Sequence, residues 1–470
     1  MTTPVDLPTR NWCETATLAR PERSYAVAGA DGIAELLTAH PGSRVQVLGS
    51  RFSYPTLIDG TDAIALHLRS AGPRVIRLDR DAVTVTADCT LTEVWEHVRD
   101  WGLTLPVCPP VITEQTVAGA LGTGTHAQGL GEGLLADAVL AVAYVGADGA
   151  EHEVTADDEE YGAFLLHLGS LGVLTRVTLA VRPNSRYHCA KYTTSGGELR
   201  EGFAAWNRRS TQVKAWWWVE EDRAHVWEVR PLGSPGSPDP SGSSDLQGPQ
   251  GSHRVADGAT AAHSDAPHTD LNPILEATRA RLGDDTGEHD DDAAPQRTVG
   301  RFFDYSDTTG DLVEIFRNGI PAPQINMEVG VPLDRFDEAA VALARVITAS
   351  PFRMHYPVIL RPTGPSRAWL SSAFGREVVW FGFVVYQRPD GSVPDGSVEL
   401  LGEIQRELAA LGGLPHWGKY FDADLFDLTA LPRFEEFRTV RSRLDPQGRF
   451  LSPQVADLLR HRPVRPATAG

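Results

Sequence analysis

Gly119-Ala-Leu-Gly-Thr-Gly-Thr-His-Ala-Gln-Gly129 is the stretch on which the reading of this chain turns. Four glycines and two threonines fall within it. Glycine lets a backbone approach a ligand closely and adopt positive φ. A run of free backbone N–H groups in such a loop forms a nest for a phosphate or diphosphate. Gly122-x-Gly124-x-x-Ala127 formally fits the dinucleotide fingerprint of a Rossmann fold, and Asp148 follows at about the right distance. The context rejects it. That fingerprint must leave a buried strand and open a helix, whereas Glu114-Gln115-Thr116 precedes it here and Gln128-Gly129 breaks any helix after it. A P-loop is excluded because no Gly-Lys-Ser/Thr follows.

Working outward, Arg44–Leu48 alternates as a short strand and runs into Gly49-Ser50-Arg51-Phe52-Ser53-Tyr54, a second turn suited to an anion. Val75–Leu78 and Ala82–Ala87 alternate as a half-buried hairpin. Leu91–Trp101 has helical spacing, and Thr90 with Glu93 makes a capping box at its start. Leu105-Pro106-Val107-Cys108-Pro109-Pro110 is stiff and extended, and it delivers the chain into the glycine stretch. Beyond it, Ala138–Val145 and Glu151–Val154 read as a hairpin around Ala147-Asp148-Gly149. Ala163–Leu171 reads as a helix closed by Gly172, and Val173–Val181 as a strand stopped by Arg182-Pro183. Many short strands with few helices make an α+β unit.

At 470 residues and 51.0 kDa the chain is long enough for two or three domains with their own cores. Hydrophobic residues make up 41% and charged residues 22%, and the net charge is -19. Such acidity argues against a nucleic-acid partner, which needs a basic face. Part of it is local, between Asp284 and Asp292, so it says little about a substrate. The four cysteines, Cys13, Cys89, Cys108 and Cys189, show no CxxC spacing, so neither a disulfide framework nor a zinc site is expected. No apolar h-region follows Met1 and no apolar run reaches membrane-spanning length, so the expectation is a cytoplasmic protein with no membrane association.

After Pro183 the character changes. Lys214–Val219 and His225–Val229 alternate and carry Trp216, Trp217, Trp218 and Trp227, about half of which should face each side of a sheet. Residues 231–295 are rich in Pro, Gly, Ser, Asp and His and lack apolar periodicity except near Leu271–Leu282, so a mobile insertion is expected there, either an inert linker or a lid. Gln324–Val331, Tyr356–Arg361 and Val378–Tyr386 read as strands, and Arg335–Ile347 and Val398–Leu411 as helices.

Several of these stretches together resemble a family. Val117-Ala118-Gly119-Ala120-Leu121-Gly122-Thr123-Gly124-Thr125-His126 is similar to the second flavin loop of vanillyl-alcohol-oxidase-type (PCMH-like) flavoproteins, nearest to alditol oxidases and sugar-1,4-lactone oxidases. Val47-Leu48-Gly49-Ser50 with Phe52-Ser53, Leu168-Gly169-Ser170-Leu171-Gly172-Val173, His416-Trp417-Gly418-Lys419 and Asp445-Pro446 to Phe450 match in the same order. The resemblance implies an α+β fold: a two-subdomain FAD-binding domain over residues 1–184, a substrate domain over 185–421 whose antiparallel sheet is flanked by helices, and a segment over 422–470 returning to the FAD domain. It implies FAD contacts from Leu48, Gly49, Ser50, Arg51, Phe52, Ser53, Gly119, Gly122, Thr123, Gly124, Thr125, His126, Gly129, Gly172 and Val173, with the diphosphate held mainly by backbone N–H groups of the two loops.

Two departures from the family pattern shape the functional expectation. Many members carry a histidine in the first loop that bonds covalently to the flavin; this loop has Arg51 there and is one residue short. Non-covalent FAD is therefore expected, provided Cys108, just ahead of the second loop, forms no link of its own; otherwise it is a small buried hydrophobe. A flavin without that link is less oxidising, which suits a dehydrogenase or an easily oxidised substrate. The Glu-x-Arg of alditol oxidases here reads Ile359-Leu360-Arg361, and a histidine of the relatives falls at Gly382, between Phe381 and Phe383. A polyol pocket needs buried polar groups to pair with hydroxyls. Ile359, Phe381 and Phe383 thus suggest a roomier, more apolar substrate pocket, with Arg361 and Lys419 retained. Lys419, Arg361, His416 and Glu328 are the catalytic candidates, the cationic groups for charge stabilisation and Lys419 or His416 as a base. Glu328, on the strand before Arg361, is its expected ion-pair partner. The chain is expected to take a hydride from an alcohol or amine carbon of a substrate bulkier than a simple alditol, such as a natural-product scaffold, and to pass electrons to O2 or another acceptor, as a monomer or small homo-oligomer. The alternatives are an alditol or sugar-lactone oxidase releasing peroxide, and a flavoprotein using its site without redox turnover.

Overall fold

A computed structural model describes residues 10–13, 15–55, 57, 62–108, 112–234, 306–316, 324–354, 356–387 and 391–460. Most of the 231–295 insertion, its possible helix at Leu271–Leu282 and the acidic run to Asp292 lie outside the described residues.

The N-terminal part holds two sheets. The first is parallel, with β1 (Ser24–Val27) and β2 (Val45–Val47) flanking β3 (Ile64–Leu68). β3 is buried along its whole length, as expected for a central parallel strand. The second sheet is antiparallel and uses β4 (Val75–Leu78), β5 (Ala82–Thr86), β7 (Val139–Val145), β8 (Glu151–Thr155) and β9 (Val173–Ala180), in the order β4-β5-β9-β7-β8. Helix α1 (Gly29–Ala39) follows β1, and α2 (Leu91–Asp100) follows β5. The capping box predicted for α2 is present: Thr90 Oγ1 accepts from Glu93 N–H and the Glu93 carboxylate accepts from Thr90 N–H. A short pair, β6 (Leu103–Thr104) with β10 (Arg182–Pro183), ends this part.

The remaining strands form one eight-stranded antiparallel sheet: β11 (Tyr187–Ser195), β12 (Gln212–Trp218), β13 (Arg223–Pro231), β14 (Thr308–Gly310), β15 (Gln324–Pro332), β16 (Val358–Thr363), β17 (Val378–Tyr386) and β18 (Leu414–Pro415), in the order β14-β11-β13-β12-β16-β17-β15-β18. Helices Gly196–Arg209, Phe336–Ala349 and Ser397–Ala410 cover one face. The tryptophans divide as pleating requires: Trp217 joins the helix-side core, while Trp216, Trp218 and Trp227 cluster on the opposite face with Tyr187, Tyr356 and Tyr386.

The C-terminal part packs back on the beginning of the chain. Arg449 C=O accepts from Val45 N–H at 2.7 Å, its Nη2 donates to Leu37 O and His40 O, and Ser452 Oγ donates to Leu57 O. Buried Asp445 holds this turn by accepting from Arg449 and Phe450 N–H. No helix among the described residues is long and apolar enough to cross a membrane.

Two expectations are corrected. The glycine stretch is not one loop: Val117–Thr123 is a helix, α3, with Thr116 as N-cap, and only Gly124, at φ 76°, needs the left-handed region that ends it. The helix expected at Ala163–Leu171 lasts only from Tyr161 to Phe164, because Leu168 and Gly169 both turn left-handed. The expected pair is present: Glu328, on the strand that precedes that of Arg361 in the chain, bonds it although β17 runs between the two strands.

Candidate functional site

A cleft of about 440 Å³ opens where β2 and β3 end, facing α3. Leu48 to Ser53 line one wall, and Gly119, Gly122, Thr123 and Gly172 line the other. The two loops touch where glycine allows it: a Cβ on Gly49 would stand 2.4 Å from Thr116 Oγ1. Gly124, Thr125, His126, Gly129 and Val173 do not line this cleft. Thr125 Oγ1 donates to Gln115, and Gly129 packs against Thr211 O and Gln212 of the large sheet. Position 51 is left-handed at φ 64°, unusual for a residue with a Cβ.

The backbone nest expected on the glycine stretch is already filled. Val117 N–H donates to Cys89 O, Ala118 N–H to Ala87 O and Gly119 N–H to Thr116 Oγ1. In contrast, no backbone N–H from Gly49 to Ser53 donates to any described residue. A dinucleotide fits this cleft, since glycines bring its two walls close and buried His67 presents an Nε2 with no partner. Sequence reasoning missed His67 and Arg69, although the apolar run Ile64–Leu68 before Arg69 was a strand signal.

A second set of groups lies on the uncovered face of the large sheet. Ile359 of β16, Gly382 of β17 and Glu328 of β15 are in register. Gly382 has no side chain, so Arg361, two residues along from Ile359, reaches over β17 to bond Glu328 Oε1. A Cβ at position 382 would lie 3.5 Å from that oxygen. Trp380, Gly382 and Val384 share this face by alternation. Phe381 and Phe383, expected in the substrate pocket, point the other way; Phe381 stacks on Phe336 of the helix layer and both belong to the helix-side core.

His126 enters this face from the glycine stretch. Its ring stacks on Trp380 at 4.3 Å, a contact the sequence did not suggest. Its Nδ1–H donates to Ala127 O at 2.8 Å, so its Nε2 is turned toward Glu328 Oε1 at 3.3 Å. Proton uptake there would complete a second bond to the carboxylate, while burial holds the ring below its ordinary pKa. Burial would raise Glu328, but Arg361 and His126 overcome it and hold the carboxyl well below the usual range.

His416 follows β18, which pairs with β15. Its N–H donates to Glu328 O, and its Nδ1 accepts from Gly418 N–H at 3.0 Å. The neutral ring therefore carries its proton on Nε2 and is a donor there. Burial pushes His416 well below its ordinary pKa and keeps it neutral. Lys419 N–H bonds His416 O, and burial of its ammonium brings it down to about 8. Trp417 anchors the segment through Nε1–H to Leu370 O at 2.7 Å. His126, Glu328 and His416 bring one ligand-type atom each within 4.8 Å, but Arg361 and Lys419 already oppose another cation there.

Cys108 is fully buried beside Trp216 and accepts from Gln128 Nε2 at 3.3 Å. Burial, with Glu132 adding to it, pushes its thiol well up, and it does not line the nucleotide cleft. Glu132 accepts from Cys108 N–H and from Gln212 Nε2 across the contact between the two parts of the chain. Burial raises its pKa to about 7.

Comparison with known proteins agrees with this arrangement. Residues 177–458 match the family model described as D-arabinono-1,4-lactone oxidase, and residues 30–155 match an FAD binding domain. The chain is 25% identical to an L-gulonolactone oxidase of Mus musculus over 94% of this chain and 96% of the relative. It is 26% identical to an alditol oxidase of a Streptomyces species, over 85% and 86% of the two chains. A solved cholesterol oxidase from Brevibacterium sterolicum shares the fold at a TM-score of 0.70 and 15% identity, covering 97% of this chain and 99% of that one.

Proposed function

The chain belongs to the D-arabinono-1,4-lactone oxidase family and is an FAD-dependent oxidoreductase, and from that premise we propose that it oxidises a hydroxyl-bearing carbon flanked by an apolar portion of the substrate. The observation that carries this reading is the single sheet face on which Arg361, Glu328 and His416 converge. FAD bound between the two loops supplies the acceptor for a hydride. Lys419, brought down to about 8, holds the hydroxyl proton as the C–H bond breaks. Arg361 and the Nε2–H of His416 offer positive charge and a donor to the developing oxyanion. Glu328 fixes Arg361 in place, so little reorganisation accompanies the charge change. The apolar flank is read from Ile359, which packs against the Trp216, Trp218, Trp227, Tyr356 and Tyr386 cluster on the same face.

Anaerobic bleaching of the flavin tests this. Alcohols with an apolar flank should bleach it faster than sorbitol, xylitol or an aldonolactone at equal concentration. Faster bleaching by the polyol or lactone would move the substrate to the sugar class of the relatives. Bleaching by amines alone would sink the hydroxyl assignment.

A further inference from the structure

The nucleotide cleft has an uneven distribution of charge. Arg51 follows β2 and Arg69 follows β3, so both leave the carboxyl ends of adjacent parallel strands, the side on which open sheets bind ligands. Both line the cleft. Among the described residues neither guanidinium pairs with a carboxylate, and Arg51 donates only to Arg10 O. The third arginine, Arg74, is already paired with Glu93 at 3.0 Å. His67 belongs to the same lining and is 6% exposed, with an Nε2 that has no partner among the described residues. Burial, reinforced by Arg69 and Arg51, pushes this ring down to about 4, so it stays neutral. Beside these side chains lie the unbonded N–H groups of Gly49–Ser53, curved by the left-handed backbone of Arg51. Two like charges facing one cleft disfavour each other, and an anion between them would relieve that repulsion.

We propose that Arg51 and Arg69 clamp the diphosphate of a non-covalently bound FAD, with the first loop as the backbone nest, so that an electrostatic anchor serves where a covalent one is absent. This rests on the FAD reading and adds to it: the phosphates are held from one wall, by side chains as much as by backbone, while the N–H groups that begin α3 serve the protein.

The test is flavin binding, read by fluorescence quenching on protein stripped of flavin, with FAD and with riboflavin, which lacks phosphates. Arg51→Gly and Arg69→Gln should each weaken FAD binding by about tenfold or more and leave riboflavin binding within about twofold. Raising salt from about 50 mM to about 500 mM should weaken FAD binding to the wild type more than to either variant. Arg51→Gly also relaxes the left-handed backbone, so its flavin-free form should melt no lower than the wild type, which separates loss of a contact from loss of fold. FAD affinity unchanged in both variants would overturn the proposal while leaving the FAD reading intact. Flavin that stays with acid-precipitated protein overturns it through the covalent bond it reveals. A wild type that binds riboflavin but gains nothing from the phosphates of FAD overturns the clamp, and one that binds neither overturns the cofactor reading as well.

Discussion

The two ends of the site treat charge in opposite ways. At the sheet end Glu328, Arg361 and His126 are deeply buried, with Arg361 bonded to Glu328 and His126 Nε2 at 3.3 Å from the same carboxylate. At the cleft end Arg51 and Arg69 are more exposed, have no carboxylate partner among the described residues and share the cleft lining with Gly49–Ser53. A buried pair left with one partner is costly, so the first arrangement stays set whether or not a ligand is present. Open unpaired charge costs little in water and gains when an anion arrives. One end is built to keep its geometry through a reaction, the other to be completed by what it binds.

Removing the shared partner at the sheet end should break this contrast most strongly. Glu328→Ala strands Arg361, and should lower stability by about 3–5 kcal/mol in urea unfolding, with at least a hundredfold loss in kcat/KM. Arg51→Gly should show no such loss of stability; an equal loss in both would erase the distinction between the two ends. Lys419→Met should reduce kcat/KM by about 10² to 10⁴. A base at about 8 is protonated and inert below that pH, so wild-type kcat/KM should rise with pH to a plateau above it, and the variant should lack that limb. His416 is a neutral donor, so His416→Phe should lower the rate without moving the limb.

Glu132 sharpens the comparison as an intermediate case, a buried carboxyl satisfied mainly by neutral donors. Its pKa is about 7 in the folded chain against an ordinary 4.5, so the folded state keeps this proton longer. Stability therefore falls as pH rises from 4.5 to 7 and stays lower above. Glu132→Gln should match the wild type near pH 4.5 and exceed it by up to about 3 kcal/mol at pH 8. A smaller effect is expected for Gly382→Ala: its Cβ meets Ile359 Cβ at 3.3 Å, costing roughly 1 kcal/mol in unfolding and raising KM.

The capping box at Thr90 and the division of the tryptophans were legible because each depends on local spacing. What failed to be legible depended on partners far along the chain. The helical character of Val117–Thr123 is set by Cys89 O and Ala87 O receiving its first N–H groups, which no reading of the glycines supplies. The facing of Phe381 and Phe383 was misjudged because β17 is apolar on both faces, leaving no alternation from which to choose. The Glu328–Arg361 pair was named, but its crossing over Gly382 required the strand order β16-β17-β15.

The bonds from Arg449 to Leu37 and His40, and from Ser452 to Leu57, have a consequence for biogenesis. The helix α1 and the strand β2 beside it are made about 400 residues before the turn that ties them together. The framework behind the nucleotide cleft is therefore complete only once Arg449 and Ser452 have been made.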